Sequence, residues 1–152
     1  MTNNDIFRKL RYILNHSDKD MKDVFANMDA DVPLSRVTAW LKKEEDFGHH
    51  EICDHDLALF LNALIVAFRG KKDGQLPATE KKTNHNLVLR KLKIAYSLQA
   101  EDMLEIWKLA GFRLSKHELS AFFRKPNHRH YRECKDQILR NFLQGMAIKH
   151  RQ

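Results

Sequence analysis

The sequence has little cysteine, glycine or proline, and it has no apolar stretch of the length that a membrane helix requires. Two cysteines, Cys53 and Cys134, occur in 152 residues, and we expect them to be free thiols in a reducing compartment. The longest apolar run, Leu57 to Phe68, is interrupted by Asn62. A membrane span needs about 20 residues, so this run predicts a buried helix.

The N-terminus also lacks the features of a secretory signal. Its first ten residues carry Asp5 and contain neither a long apolar stretch nor a small-residue cleavage site. We therefore expect a cytoplasmic protein that does not bind a membrane. No stretch alternates with period two and is enriched in β-branched residues, so no β-sheet is expected.

Motifs of catalysis and of metal binding are missing as well. The glycines frame neither a nucleophilic serine nor a phosphate-binding loop, and no pair of carboxylates stands on an apolar face. A cluster of His49, His50, Cys53 and His55 lacks the CxxC or HxxxH spacing that fixes a zinc site. We expect surface histidines there, no metal, no cofactor and no catalytic residue, and therefore not an enzyme.

What the sequence does contain is an internal duplication. A constant shift of 82 positions lays residues 4–70 on residues 86–152 without a gap and gives 14 identical pairs in 67 positions. Unrelated sequences of ordinary composition would match at about 4 of those positions. The chain is therefore made of two homologous copies, and Met21 to Lys43 aligns with Met103 to Lys125.

Helical periodicity in both copies indicates the fold class. Apolar residues recur at helical spacing in four segments of each copy, which predicts eight helices and no sheet. The third helix is predicted from Arg36 to Lys43 with Ser35 as its cap, and the seventh from Ser115 to Lys125. The predicted architecture is all-α, with two tandem homologous four-helix modules that have helix-turn-helix-like corners and pack in pseudo-twofold fashion.

Composition indicates the domain boundaries. Residues 1–70 form the first helical repeat, residues 71–82 a linker, and residues 83–152 the second, basic helical repeat. The linker carries charges, a glycine and a proline but little to bury. Six aromatic residues at helical spacing are expected in the core: Trp40, Phe60, Trp107, Phe122, Phe123 and Phe142.

Positive charge is concentrated in the second copy. The net charge of +7 divides into −3 for residues 1–70, +2 for residues 71–82 and +8 for residues 83–152. Two copies with one presumed fold have thus diverged by eleven units of charge, so an anionic partner would meet the second copy first. The alternative is that the basic residues only keep the chain soluble.

The loop RKPNHRHYR, residues 124–132, is the strongest candidate site. Its candidate nucleic-acid-binding residues are Arg124, Lys125, Arg129, His130, Tyr131 and Arg132. The arginines and the lysine would contact phosphates, and the two rings would stack on unpaired bases, which suits RNA or single strands. The aligned stretch of the first copy, KKEEDFGHH, is acidic, so the fold does not require basic residues there. A merely solvated charged loop is the alternative.

The second and third helices of each copy also look like a helix-turn-helix, in which the last helix reads the major groove of DNA. The match is imperfect, because Gly111 lies eight residues before the apolar Leu119, which is long for the tight turn of that motif. In the first copy, acidic residues flank the candidate reading helix and would repel phosphate. We favour the alternative, a plain corner of a helical bundle.

Several short motifs resemble those of one protein family. They are NND at 3–5, LRY at 10–12, AWLKKE at 39–44 and LSAFFRKP at 119–126. The chain resembles the YehS family, small bacterial proteins made of two copies of a domain of unknown function, and the likeness covers essentially its full length. The resemblance implies a bacterial cytoplasmic protein of two all-helical modules, and it carries over no catalytic residue, cofactor or partner.

The sequence therefore predicts a non-enzymatic binding module whose basic second repeat contacts nucleic acid, either RNA or DNA. The alternative, from a different class, is an adaptor that binds protein through the groove between the copies, or a helical module that self-associates as a homodimer. Binding that weakens steeply with salt distinguishes the first hypothesis from the second.

Overall fold

The computed structural model describes residues 1–151. Within this range the chain forms eight α-helices and no β-strand, apart from an isolated bridge between Lys72 and Gln75. The helices are α1 (Asn3–Leu14), α2 (Asp18–Phe25), α3 (Leu34–Leu41) and α4 (Asp54–Arg69) in the first copy, and α5 (His85–Ala95), α6 (Ala100–Leu109), α7 (Lys116–Phe122) and α8 (Asp136–His150) in the second. The prediction of an all-α chain with two four-helix modules is confirmed.

Polar residues determine where several of these helices begin. At the N-cap a hydroxyl accepts the backbone N–H three residues on, and the acidic side chain of that residue accepts the N–H of the cap. The pairs are Thr2 with Asp5 at α1, Ser17 with Asp20 at α2, and Ser115 with Glu118 at α7. The prediction that Ser17 caps the second helix is confirmed.

Helices α3 and α7 are among those whose bounds differ from the prediction. Helix α3 begins at Leu34, so Ser35 lies inside its first turn and is not the cap. The reason is that the carbonyl of Pro33 already accepts the first helical hydrogen bonds. Helix α7 ends at Phe122, three residues before its predicted end. A helix that continued through residue 126 would need its N–H to donate to the carbonyl of Phe122, and Pro126 has no N–H, so the helix ends early.

Aromatic side chains fill the core of both copies. The rings of Phe7 and Phe60 lie 5.0 Å apart in the first copy, and those of Trp107 and Phe142 lie 4.9 Å apart in the second. Complete burial of one such side chain stabilises the fold by about 1.5–3 kcal/mol. Of the six aromatics that the sequence assigned to the core, all are buried except Phe123, which is half-buried.

The apolar run that the sequence marked as a buried helix lies in α4, which is 16 residues long. Leu57, Phe60 and Leu61 on this helix are fully buried against the core. Among residues 1–151, no helix combines the length and the apolar composition that crossing a bilayer requires.

The same hydrogen bonds recur in the two copies. A buried asparagine, Asn4 in the first copy and Asn86 in the second, donates twice to loop carbonyls and accepts once from a loop N–H. The partners are Trp40, His50 and Ile52 in the first copy and Phe122, Arg132 and Cys134 in the second, at distances between 2.8 and 3.2 Å. Every partner is shifted by the same 82 positions. The copies therefore agree at the level of single hydrogen bonds.

The copies contact each other through two helix pairs, α1 with α8 and α4 with α5. These pairs are reciprocal, because α5 and α8 are the second-copy equivalents of α1 and α4. Lys9 donates from Nζ to Oε1 of Gln144 at 2.8 Å, and the equivalent residues, Lys91 and Asn62, form the same bond at 2.6 Å. Pseudo-twofold packing would produce such matched bonds; for the molecule as a whole it stays a prediction.

Candidate nucleic-acid interface

The basic loop, residues 124–132, follows α7 and is held through its backbone. Asn86 on α5 binds the carbonyl of Arg132 and the N–H of Cys134, at the end of the loop. The N–H of Arg132 also donates to the carbonyl of Ala121 at 3.1 Å. These anchoring bonds use no charged side chain, so the position of the loop does not depend on its charge.

The cationic side chains of the basic loop are exposed. Within the described part of the chain, no carboxylate lies within 4 Å of Arg124, Lys125 or Arg129. Arg132 lies 3.8 Å from Glu118, and both side chains of this pair are well exposed. An ion pair between exposed side chains at this distance constrains the two side chains only weakly. The loop therefore presents cations that are free to contact phosphate groups.

The two rings of the candidate site differ in accessibility. His130 is exposed, and its Nε2 accepts a hydrogen bond from Nε of Arg129 at 3.2 Å. Tyr131 is half-buried and lines a cavity of about 340 Å³ together with Asn3 and Asn86. His130 is thus placed to stack on an external base, whereas Tyr131 lies at a cavity between the two copies.

The equivalent loop of the first copy, residues 42–50, has the same anchoring but the opposite charge. Asn4 holds it through the carbonyl of His50 at 2.8 Å. Its acidic residues, Glu44, Glu45 and Asp46, are exposed. Two loops of opposite charge thus share one backbone arrangement, which supports the interpretation that the positive charge of the second loop has no structural role.

A groove adjoins the basic loop, and sequence reasoning missed it. It has a volume of about 410 Å³, an apolar floor and a cationic rim. The floor is formed by Ile94, Leu119 and Phe123, and the rim by Arg90, Lys93 and Lys116. Nζ of Lys93 lies 5.9 Å above the ring of Phe123, and Arg90 donates to the carbonyl of the same residue at 3.4 Å. Phe123 directly precedes the basic loop, so the groove and the loop form one cationic region.

The two copies differ at a residue that lines this groove, Ala100. In the first copy, Asp18 accepts a hydrogen bond from Oγ1 of Thr38 at 3.0 Å and lies 3.8 Å from Arg11. These contacts bridge α1, α2 and α3. The equivalent residue of the second copy is Ala100, whose methyl group cannot bridge. The Asp18/Ala100 pair in the alignment of the copies was the signal that could have revealed the groove.

The predicted helix-turn-helix-like corner corresponds to α6 and α7, which contact each other. Six residues, 110–115, connect these helices, whereas the turn of a DNA-reading motif has about three to four. On α7, Lys116 lies 3.1 Å from Glu101 of α6. The likeness to a DNA-reading motif stays a prediction.

Comparison with known proteins assigns the two copies to one family. A family model described as "Protein of unknown function (DUF1456)" matches residues 3–70 and, a second time, residues 85–152. The chain belongs to the DUF1456 family. The two matched segments begin 82 residues apart and end 82 residues apart, which is the shift that relates the copies in the sequence.

One similar protein matches almost the whole chain. It is "Uncharacterized protein YehS" of Escherichia coli (strain K12), 41% identical over 151 residues, which make up 98% of this chain and 96% of the relative. No solved structure matches the chain. The resemblance to the YehS family is confirmed.

In this DUF1456 chain, the histidines of the cluster at residues 49–55 make contacts with different partners. Nδ1 of His49 lies 2.8 Å from the carbonyl oxygen of Lys42, and Nδ1 of His55 lies 3.3 Å from a carboxylate oxygen of Asp56. Residues 1–151 contain no group of three or more His, Cys, Asp or Glu side chains that could hold a metal ion. That the protein needs no metal stays a prediction.

The two cysteines occupy different environments. Cys134 takes the position of Ile52 in the first copy and is buried, whereas Cys53 is exposed. Burial, together with the nearby carboxylates of Asp136 and Glu133, raises the pKa of the Cys134 thiol to about 12. Cys134 is therefore a core residue with little thiolate at neutral pH.

We expect a disulfide reagent to modify Cys53 at least about tenfold faster than Cys134 in the folded protein, because the thiolate is the reacting form. The greater nucleophilicity of a thiol with a high pKa offsets only part of this difference. The rates can be measured separately in the Cys53→Ser and Cys134→Ala variants, with the unfolded chains as controls. Equal rates in the folded state would contradict the burial of Cys134.

Proposed function

We propose that this protein is a non-enzymatic binding module whose basic second copy binds nucleic acid, with single-stranded RNA as the first choice. The observation that carries the proposal is the basic loop. Arg124, Lys125 and Arg129 are exposed and lack a carboxylate within 4 Å in the part of the chain that the structure describes. Uncharged groups anchor the loop, so these cations remain available to a polyanion.

The groove next to the basic loop offers a binding site for an unpaired nucleic-acid base. Its apolar floor of Ile94, Leu119 and Phe123 would receive an unpaired base, and the cations of its rim would contact the flanking phosphates. The exposed ring of His130 offers a second stacking surface. A single strand supplies unstacked bases, whereas a duplex does not, so we expect single strands to bind more tightly than duplexes of the same length.

The decisive experiment measures binding of a labelled single-stranded RNA of about 20 nucleotides by fluorescence anisotropy at several salt concentrations. We expect the logarithm of the binding constant to fall linearly with the logarithm of the salt concentration, by about 0.7 per phosphate contacted. In the Arg124→Glu, Arg129→Glu double variant, we expect binding at low salt to weaken by about tenfold or more. The salt slope should also become shallower by about 1 or more.

A matched control distinguishes the loss of the loop contacts from the effect of a change in net charge. Lys71 and Lys81 are exposed lysines of the connection between the copies, and Lys71→Glu, Lys81→Glu changes the net charge by the same four units. We expect this control to bind RNA within about threefold of the unmodified protein, since it leaves the loop contacts intact. No binding at low salt, or an equal loss in both double variants, would disprove binding through the loop. RNA recovered intact after incubation would support binding without catalysis.

A further inference from the structure

The connection between the copies lies in the seam between α4 and α5, which we call the covered seam. Leu76 packs against the core. Asn62 on α4 donates from Nδ2 to the carbonyl of Ala78 at 3.2 Å. Glu80 lies 3.0 Å from Nζ of Lys91 on α5. This segment thus forms specific polar contacts with both helices, and it gives the buried Lys91 ammonium a carboxylate partner.

The equivalent seam lies between α1 and α8, and we call it the open seam. Lys9 and Gln144 take the positions that Lys91 and Asn62 have in the covered seam. Together with Tyr12 they line a groove of about 500 Å³. The connection between the copies runs along the other seam, so it does not cover this one.

The open seam is cationic. Besides Lys9, the residues that line its groove include Arg8, Arg11, Lys43, Arg140 and Met1. Of these, the ammonium group of Met1 pairs with Asp136 and Arg11 lies 3.8 Å from Asp18. Its carboxylate, Asp5, lies 2.5 Å from Arg8 and is paired with it. Burial lowers the pKa of Lys9. Within residues 1–151, Lys9 has no carboxylate within 4 Å, whereas its equivalent, Lys91, has Glu80.

We propose that the open seam binds an acidic, non-helical peptide segment of a partner protein, in the manner in which the covered seam holds residues 76–80. A carboxylate side chain of the partner would pair with Lys9, as Glu80 pairs with Lys91. The amide of Gln144 would donate to a peptide carbonyl, as Asn62 donates to that of Ala78. This site lies at the contact between α1 and α8, whereas the connection between the copies lies at the contact between α4 and α5. Peptide binding there does not depend on nucleic-acid binding by the basic loop.

The connection itself supplies the probe. A labelled peptide QLPATE, copied from residues 75–80 and amidated at its C-terminus, keeps one side-chain carboxylate, and QLPATQ is its neutral control. We expect QLPATE to shift the amide NMR signals of Lys9, Tyr12 and Gln144 in the full chain. QLPATQ should bind at least about tenfold more weakly, because the carboxylate that would pair with the Lys9 ammonium is removed.

Variants of the protein test the same contacts, because they change Lys9 and Gln144 and leave the peptide unchanged. Lys9→Gln is expected to weaken binding of QLPATE by about tenfold or more, and Gln144→Leu by severalfold, because one neutral hydrogen bond is lost. Lys19→Gln, an exposed lysine of α2, serves as the control and should change binding less than about twofold.

Four outcomes would overturn the proposal. The first is no signal change at the open seam at millimolar peptide, and the second is equal binding of QLPATE and QLPATQ. The third is that a single-stranded RNA shifts the same signals and displaces the peptide. The open seam would then be a binding site for the phosphates of a nucleic acid. The fourth is a dimer in sedimentation that Lys9→Gln dissociates, because a second copy of the chain would then cover the seam.

Discussion

Replacement of Gly145 by alanine is expected to lower the free energy of unfolding by about 3 kcal/mol, at the upper end of the usual cost of overpacking. A Cβ atom at this position would lie 1.9 Å from the carbonyl oxygen of Ile106 and 2.8 Å from its carbonyl carbon. Backbone atoms of α6 cannot move aside as the end of a side chain can. Helices α6 and α8 would have to separate, although alanine itself favours a helix by up to about 1 kcal/mol over glycine.

Urea denaturation of Gly145→Ala measures this loss, and the first copy supplies a matched comparison. The equivalent residue there is Ala63, which is completely buried, so that copy accommodates the methyl group. Ala63→Gly should cost only about 1–2 kcal/mol, from helix propensity and the lost methyl contacts. A Gly145→Ala protein as stable as the unmodified chain would show that α6 and α8 are farther apart than described.

Replacement of Asn86 by aspartate is expected to destabilise the second copy by about 3 kcal/mol or more. Its Nδ2 donates to two carbonyls, of Phe122 and Arg132, and a carboxylate in the same place would face both oxygens without a proton to donate. Each buried polar group that loses its partner costs about 1–3 kcal/mol. The N–H of Cys134 would keep an acceptor, so the loss is expected to be smaller than for all three bonds together.

The pH dependence of this variant gives an independent test. Burial and the two facing carbonyls would raise the pKa of the new carboxyl group above its unfolded value, near 3.9. A group whose pKa is raised on folding contributes most favourably below its unfolded pKa, so the deficit should shrink as the pH falls toward 4. Asn127→Asp, at an exposed position of the basic loop, is the control and should change stability by less than about 0.5 kcal/mol. A deficit independent of pH would contradict a buried carboxylate.

The helices and the duplication were predictable because both depend on local spacing and on an alignment that the chain contains within itself. Several identical pairs turn out to form equivalent contacts. The pair Asn4 and Asn86 shows this most fully, and Arg69 and Arg151 make comparable contacts with different acceptors near the end of the first helix of the other copy. Arg69 donates to Ser97, and Arg151 donates to the carbonyl of Tyr12 at 2.8 Å.

Other features depend on contacts that no spacing reveals. The connection between the copies has the composition of a flexible linker, yet Leu76 and Glu80 make specific contacts with α4 and α5. The groove beside the basic loop is lined by Ala100, where the first copy has the bridging carboxylate of Asp18. The sequence located the charges of the candidate site, but only the fold shows that Arg132 approaches Glu118 while Arg124 does not.

Tandem fusion makes two formerly identical surfaces unequal. A pair of unlinked single copies would present both seams to solvent and would take up two peptides, whereas the fused chain has one accessible seam and is expected to take up one. Lys91 and Lys9 descend from the same ancestral residue, and one now has an internal counter-ion while the other meets solvent. For the peptide binding that we propose at the open seam, joining the copies would set a stoichiometry of one and would let each surface evolve separately.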